Sequence, residues 1–229
     1  QYATQLGMTS SNFTNSAGLP DDDHYTTARD MTKLARAIIT EFPDYYKWYS
    51  VREFEYNSIK QQNRNTLLWQ DPSVDGMKTG YTADAGYCLV SAAKRNGMRL
   101  ISVVLGTSSP RARVSGSAAL LNYGFRFFET RLLYRAGEVI TSSRTWKGRE
   151  ELTTLGLAED LYITIPRGSF DKIDSTLIMP ARLMAPVAQG QLIGELLVNL
   201  EKSELLRMPL RALKKITSQT GKEIFKPFT

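Results

Sequence analysis

Val74-Asp75-Gly76-Met77-Lys78-Thr79-Gly80-Tyr81-Thr82, with Ala85-Gly86-Tyr87 just beyond it, is the stretch whose reading decides the fold. Two β-type runs follow, Tyr87–Ala93 and Arg99–Leu105, joined by Lys94-Arg95-Asn96-Gly97. Asn-Gly between alternating apolar runs is the strongest short hairpin signal, because both residues accept the left-handed backbone that a two-residue turn demands. A bare Lys-Thr-Gly reads as a glycine turn with a solvated lysine. Beside this hairpin it lies at or just before the start of a β-meander, and its residues acquire chemistry there. A strand lysine sets a positive charge beside an acidic or carbonyl group. The Thr79 hydroxyl can donate to a carboxylate. Gly80 lets a peptide lie flat along the strand, and the Tyr81 N–H is free to meet a developing oxyanion.

Upstream, Thr27–Phe42 is the clearest helix. Met31, Leu34, Ala35, Ile38, Ile39 and Phe42 keep the i, i+3, i+4, i+7 spacing, Thr27 is a natural N-cap with Asp30 three residues on, and Pro43 stops the run. Gln1–Gly7 reads as the tail of a helix ending at Gly7, so the expectation is that an upstream part precedes it. Residues 9–24 form a turn-rich loop in which Asp21-Asp22-Asp23 reads as a solvated turn rather than a metal site. His24, the one histidine, is the only base a Ser-His-Asp triad could use, and it sits beside that acidic turn. Tyr45–Lys60 is aromatic-rich, with Phe54-Glu55-Tyr56-Asn57 alternating as a strand does. Arg64, in the polar run Gln61–Asn65, reads as a surface arginine or as a ligand-binding one, and both readings stay open.

Downstream, Ser109 caps and Pro110 opens a helix that runs to about Phe127. Arg111 and Arg113 lie in its first turn, where a cation opposes the helix dipole, so Arg113 is a candidate for facing a substrate carboxylate. The texture changes around Phe128–Leu133. The short β-type runs Glu138–Thr141, Leu161–Ile165, Thr176–Met179, Gln191–Leu200 and Leu205–Leu210, punctuated by Gly and Pro, read as a small all-β sandwich or barrel. The expected division is therefore residues 1–127 and residues 128–229.

Hydrophobic residues make up 42% of the chain, enough to fill cores and exclude disorder. No window approaches the roughly 18 apolar residues of a membrane helix. The single cysteine, Cys88, excludes an internal disulfide and reads as a small buried hydrophobe. Most of the net charge of +6 sits in residues 207–229, where Arg207, Arg211, Lys214, Lys215, Lys222 and Lys226 oppose Glu223 alone. This basic tail reads as a solvated end or as an attraction to an anionic membrane surface or an anionic polymer. No nucleic-acid partner is expected, since aromatics do not interleave with a basic stripe.

Taken together, Asn63-Arg64-Asn65-x-Leu67-Leu68-Trp69, Lys78-Thr79-Gly80-Tyr81-Thr82 and Ala85-Gly86-Tyr87 resemble the low-molecular-mass penicillin-binding proteins, and more closely the D-alanyl-D-alanine carboxypeptidases of penicillin-binding protein 5/6 type. His24-Tyr25-Thr26-Thr27-Ala28-Arg29-Asp30-Met31 is similar to a helix start of that family, and Tyr123-Gly124-Phe125-Arg126-Phe127-Phe128 to the segment closing its catalytic domain. The resemblance runs over almost the whole chain. It implies an α+β penicillin-recognising fold of the serine transpeptidase/β-lactamase kind, followed by a β-sandwich domain. It also implies a serine acyl-transfer enzyme that removes the terminal D-Ala of a peptidoglycan stem peptide and is acylated by β-lactams. No cofactor or metal is implied. Lys78 and Thr79 take catalytic and substrate-binding roles, Gly80 and Tyr81 line the substrate, with the Tyr81 N–H at the oxyanion, and Arg64 and Arg113 approach the substrate carboxylate. The family's location implies a periplasmic protein held peripherally at the bacterial inner membrane.

The family's nucleophile motif, Ser-x-x-Lys, occurs as Ser91-Ala92-Ala93-Lys94 in a strand and as Ser169-Phe170-Asp171-Lys172 in the β-module, where a helix start is required. Ser10-Ser11-Asn12 has the family's Ser-x-Asn spacing with no Ser-x-x-Lys before it. The expectation is that the acylating serine lies upstream of Gln1 and that residues 1–229 alone are inactive. Two alternatives remain: a non-catalytic cell-wall peptide-binding homologue that kept the groove, and a β-lactamase.

Overall fold

The computed structural model describes residues 1–219. Its backbone divides into two units, Gln1–Phe127 and Phe128–Thr229.

In the first unit, helix α1 (Tyr2–Gln5) ends at Gly7, whose φ of +71° only glycine adopts freely. The loop that follows is tied by a single bridge, Asn12 to Tyr25. Helix α2 (Ala28–Glu41) starts where the Thr27 hydroxyl accepts from the Asp30 N–H at 3.2 Å. Pro43, expected only as a stop, opens the short helix α3 (Pro43–Tyr46), because proline suits a first turn as well as it ends a run. Strands β1 (Glu53–Tyr56) and β2 (Ile59–Gln62) form a hairpin whose Asn57 and Ser58 both have positive φ, and every residue of both strands is exposed. Helix α4 (Leu67–Gln70) then leads to β3 (Val74–Thr82), β4 (Gly86–Arg95), β5 (Met98–Thr107) and helix α5 (Pro110–Phe127).

The three strands pair antiparallel in the order β3-β4-β5. Lys78-Thr79-Gly80 therefore lies inside β3, not ahead of the sheet, and β3 is an edge strand of this sheet. The central strand β4 is covered on both sides. Leu89 and Ala93 pack with Val114 and Leu121 of α5, while Val90 and Ala92 pack with Ala35 of α2. This is why β4 carries apolar residues on both of its faces, interrupted only by Ser91 between Val90 and Ala92.

In the second unit, β6 (Phe128–Tyr134), β7 (Thr141–Trp146), β8 (Leu152–Gly156), β9 (Leu161–Pro166), β10 (Ile173–Ile178), β11 (Leu183–Met184), β12 (Leu192–Leu200) and β13 (Ser203–Ala212) follow one another. They form a six-stranded sheet of order β10-β12-β13-β8-β7-β11 and a β6-β9 pair around one core that includes Leu155, Ile163, Leu196 and Leu210. The expected run Glu138–Thr141 is loop up to its last residue. The strand there begins at Thr141, and it gives no apolar signal because its buried Thr145 meets Thr153 hydroxyl to hydroxyl at 2.5 Å. Of the basic tail, Lys222, Glu223 and Lys226 lie outside the described residues. Arg207 is not a free charge: it donates to Glu204 at 2.8 Å and Glu195 at 3.3 Å, and Arg211 donates to the Gly190 carbonyl at 2.9 Å.

Candidate active-site cleft

The open edge of β3 borders a cleft of about 1110 Å³ whose lining includes Lys78, Thr79, Gly80, Tyr81, Arg64 and Arg113. The six residues that the sequence assigns to substrate binding all line this one cleft. A strand edge offers every second N–H and C=O to a bound chain, so an extended peptide can pair along β3.

Each side chain is placed by local structure. Thr79 is buried and Lys78 exposed, as expected of neighbours that point to opposite faces of a strand. The Lys78 ammonium donates to the Thr79 carbonyl at 2.6 Å, which keeps it close to the strand. Arg64 projects from a loop pinned on both sides. Asn63 donates to the carbonyls of Tyr49 at 3.2 Å and Val51 at 2.9 Å, and its own carbonyl accepts from the Asn65 N–H. Buried Asn65 donates to the Gly76 carbonyl at 3.0 Å and accepts from the Leu67 N–H at 3.3 Å. With both flanking asparagines satisfied, Arg64 is exposed at the cleft and carries no ion pair among the described residues.

Arg113 reaches the cleft from beneath. It is buried, with Nη1 donating to the Gly80 carbonyl at 3.1 Å and the Cys88 carbonyl at 3.5 Å, and its guanidinium carbon lies 5.5 Å from the Tyr87 ring centre. Its unfavourable place in the first turn of α5 is explained by these bonds to the strands opposite. Ser109 caps that helix, accepting from the Ala112 N–H at 3.1 Å. Tyr81 stacks on its cross-strand partner Tyr87, ring centres 4.2 Å apart.

The far wall holds residues that sequence reasoning did not place here: Ala17, Gly18, His24, Tyr25 and Thr26. In sequence His24 sits beside the acidic turn. The Asn12–Tyr25 bridge carries it to the cleft, and its Nδ1 accepts from the Thr14 N–H at 3.3 Å. Nothing in local pattern encodes that bridge. The partnership of Tyr81 with Tyr87 could have been found by counting register back from the turn at Ala83–Ala85.

Neither Ser-x-x-Lys in the chain builds a nucleophile. Ser91 is buried on β4 and Lys94, three residues on, is exposed. Lys172 pairs with Glu201 at 2.7 Å. Ser11, in the Ser-x-Asn spacing, hydrogen-bonds Asp30 and Thr26 and ties the loop to α2. Lys33, joined by the Ser11 hydroxyl and the Ser10 N–H, holds the Asp30 carboxyl below the usual carboxylate range. Among the described residues no group of three or more His, Cys, Asp or Glu side chains converges to hold a metal.

A family model described as D-alanyl-D-alanine carboxypeptidase matches residues 1–109, and one described as penicillin-binding protein 5, C-terminal domain, matches residues 128–218. The chain is 40% identical over 216 residues to the D-alanyl-D-alanine carboxypeptidase DacA of Haemophilus influenzae, covering 93% of this chain and 55% of that protein. It is 40% identical over 218 residues to the carboxypeptidase DacC of Escherichia coli, covering 94% and 54%. It thus spans about half the length of the curated relatives it matches. Among solved structures it is similar to penicillin binding protein 5 from Haemophilus influenzae, with a TM-score of 0.86, 39% identity and coverage of 95% of this chain and 64% of the other. It is also similar to the D-alanyl-D-alanine carboxypeptidase DacD from Francisella tularensis, with a TM-score of 0.66, 30% identity and coverage of 96% and 67%.

Proposed function

The chain belongs to the D-alanyl-D-alanine carboxypeptidase family of penicillin-binding protein 5/6 type, and from that premise we propose that it supplies the substrate-binding strand of a serine-type carboxypeptidase. The reaction proposed for the whole protein removes the terminal D-Ala of a peptidoglycan pentapeptide. A serine hydroxyl attacks the carbonyl carbon of the penultimate D-Ala, the terminal D-Ala leaves with a proton on its amine, and water then hydrolyses the acyl-enzyme ester. β-Lactams form the same ester with the serine. The serine and its lysine are assigned to sequence beyond residues 1–229, in keeping with the failure of both internal Ser-x-x-Lys spacings to form a pair.

The single observation that supports this reading is the convergence of Lys78, Thr79, Arg64 and Arg113 on one cleft along an edge strand. A substrate running along β3 and ending in a carboxylate meets three cations and a hydroxyl there, and charge-assisted bonds of that kind are the strong ones. Gly80 leaves room above the strand, and the Tyr81 N–H is the proposed oxyanion donor. Fluorescent penicillin tests the assignment. The intact gene product is expected to take a covalent label, and residues 1–229 alone to take none. An intact product that stays unlabelled while still binding stem peptide points instead to a non-catalytic wall-binding homologue. Fast turnover of a chromogenic β-lactam points to a β-lactamase.

The same reading proposes a periplasmic protein lying on an anionic inner-membrane surface, drawn there by Lys214, Lys215 and the basic residues that follow them in sequence. Co-sedimentation with anionic but not neutral vesicles, lost at high salt, is the expected result.

A further inference from the structure

Four buried polar atoms without a hydrogen-bond partner among the described residues belong to one layer of the first unit: Arg113 Nε and the hydroxyls of Ser117, Ser91 and Ser102. Arg113 is 6% exposed, Ser102 5%, and Ser91 and Ser117 not at all. They share a face. Ser117 lies one turn after Arg113 on α5, so both side chains project from the same side of the helix. Ser91 and Ser102 are cross-strand partners on β4 and β5. Their neighbours two residues away along the strands, Leu89, Ala93 and Leu100, all belong to the core beneath α5. The helix and the two strands therefore carry all four groups on the faces that pack against one another.

Buried donors and acceptors are almost always paired, and a cluster of orphans inside a well-packed layer is the setting in which an internal water forms about three hydrogen bonds. We propose that the layer between them holds a small polar chamber with one or more ordered waters that accept from Arg113 Nε, and that Ser91, Ser102 and Ser117 are positioning residues for that arginine. The inference rests on the reading of Arg113 as a ligand of the substrate carboxylate. The guanidinium is then held on three sides: Nη1 by the Gly80 and Cys88 carbonyls, its face by Tyr87, and Nε by the water. Nη2 makes no hydrogen bond among the described residues, which leaves it for the carboxylate in the cleft that Arg113 lines.

A high-resolution crystal structure of the chain tests the chamber directly. The expected result is density for a water within hydrogen-bond reach of Arg113 Nε and of at least one serine hydroxyl. A protein acceptor on Nε, or a chamber without that water, overturns the proposal. The positioning role is read from penicillin acylation of the intact gene product. Ser117→Ala is expected to raise the penicillin concentration for half-maximal acylation about five-fold with the limiting rate retained, the loss of roughly one hydrogen bond's worth of binding. In an Arg113→Ala background the same change is expected to add nothing. An equal effect in both backgrounds, or a fall in limiting rate alone, rules the role out. Ser91→Ala serves where Ser117→Ala does not fold. Should no penicillin react with the unmutated protein, the functional reading fails, and the density at Nε still decides the chamber.

Discussion

Arg99 grips Asp75 through both ends of its guanidinium, Nη1 to Oδ1 at 2.8 Å and Nη2 to Oδ2 at 2.6 Å, three residues ahead of Lys78. The Tyr46 hydroxyl donates to the same Oδ1 at 2.6 Å. This ties α3, the start of β3 and β5 together, so the strand bearing the cleft residues is anchored where it enters the sheet.

Burial works against ionisation of Asp75, but the Arg99 and Tyr46 hydrogen bonds outweigh it and hold the carboxyl below its ordinary range. A carboxyl depressed on folding stabilises the fold fully above its unfolded pKa of about 3.9 and loses that contribution as pH falls through its lower folded value. Asp75→Asn is expected to cost about 1–2 kcal/mol at neutral pH, the pair being partly exposed, and to flatten the loss of stability below about pH 4. Glu55→Gln, whose Lys60 partner stands 3.9 Å away on the surface, is expected to change almost nothing. Urea unfolding of the three proteins across acid pH checks both.

Asn65 is the next link inward. It is fully buried and satisfies the Gly76 carbonyl and the Leu67 N–H at once. Asn65→Ala leaves both backbone groups without their partner and is expected to cost about 1–3 kcal/mol. It also frees the loop that presents Arg64, so binding of carboxylate ligands should weaken further than stability alone explains. Unfolding curves and ligand titration of the same variant separate the two losses.

Much of this framework is legible in the sequence because its signals are local. Asn96-Gly97 makes the β4–β5 turn with φ of 49° and 81°, and Thr27 and Ser109 cap the helices they were read to cap. The cleft is legible only in part. Lys78 to Tyr81 are placed by their strand, but Arg64 reaches them through two asparagine side chains that bond backbone eleven to fourteen residues away. His24 arrives by an isolated bridge. Such contacts leave no periodicity. The β7–β8 pair was missed for a related reason: its buried Thr145 and Thr153 satisfy each other through hydroxyls, and an apolar alternation cannot register that.

Gly80 separates space inside the protein from space kept for a ligand. A Cβ built there meets only the Cys88 Cβ, at an ordinary 3.7 Å. Gly80→Ala is therefore expected to fold with stability within about 0.5 kcal/mol of the parent. Gly80 lines the cleft, and the added methyl projects from the strand face where a ligand lying along β3 approaches closely, so penicillin labelling of the intact gene product should fall by an order of magnitude. Unchanged labelling would show that the ligand does not run along this strand. Gly76→Ala is the contrasting case. Its Cβ comes within 2.7 Å of the Tyr46 hydroxyl, which Asp75 and Arg99 hold in place, and a loss of about 1–3 kcal/mol is expected.

Arg64 and Arg113 bring charge to the same cleft from different surroundings, and their substitution should separate accordingly. Arg64 is exposed with no ion pair among the described residues, so Arg64→Ala removes charge and little else. Thermal unfolding should be unchanged while half-maximal acylation by penicillin moves to about ten-fold higher concentration, more at low salt than at high, as expected for an attraction reaching across solvent. Arg113→Ala also strips the Gly80 and Cys88 carbonyls of a donor and empties a buried site beneath Tyr87, so stability and acylation should both fall, by about 2–4 kcal/mol in the first case. Arg113→Lys should recover part of the stability and little of the binding, since an ammonium cannot hold two carbonyls and a carboxylate in the one plane that a guanidinium provides. A Lys variant that acylates like the parent would mean that charge alone, not the fork of Arg113, is what the carboxylate meets.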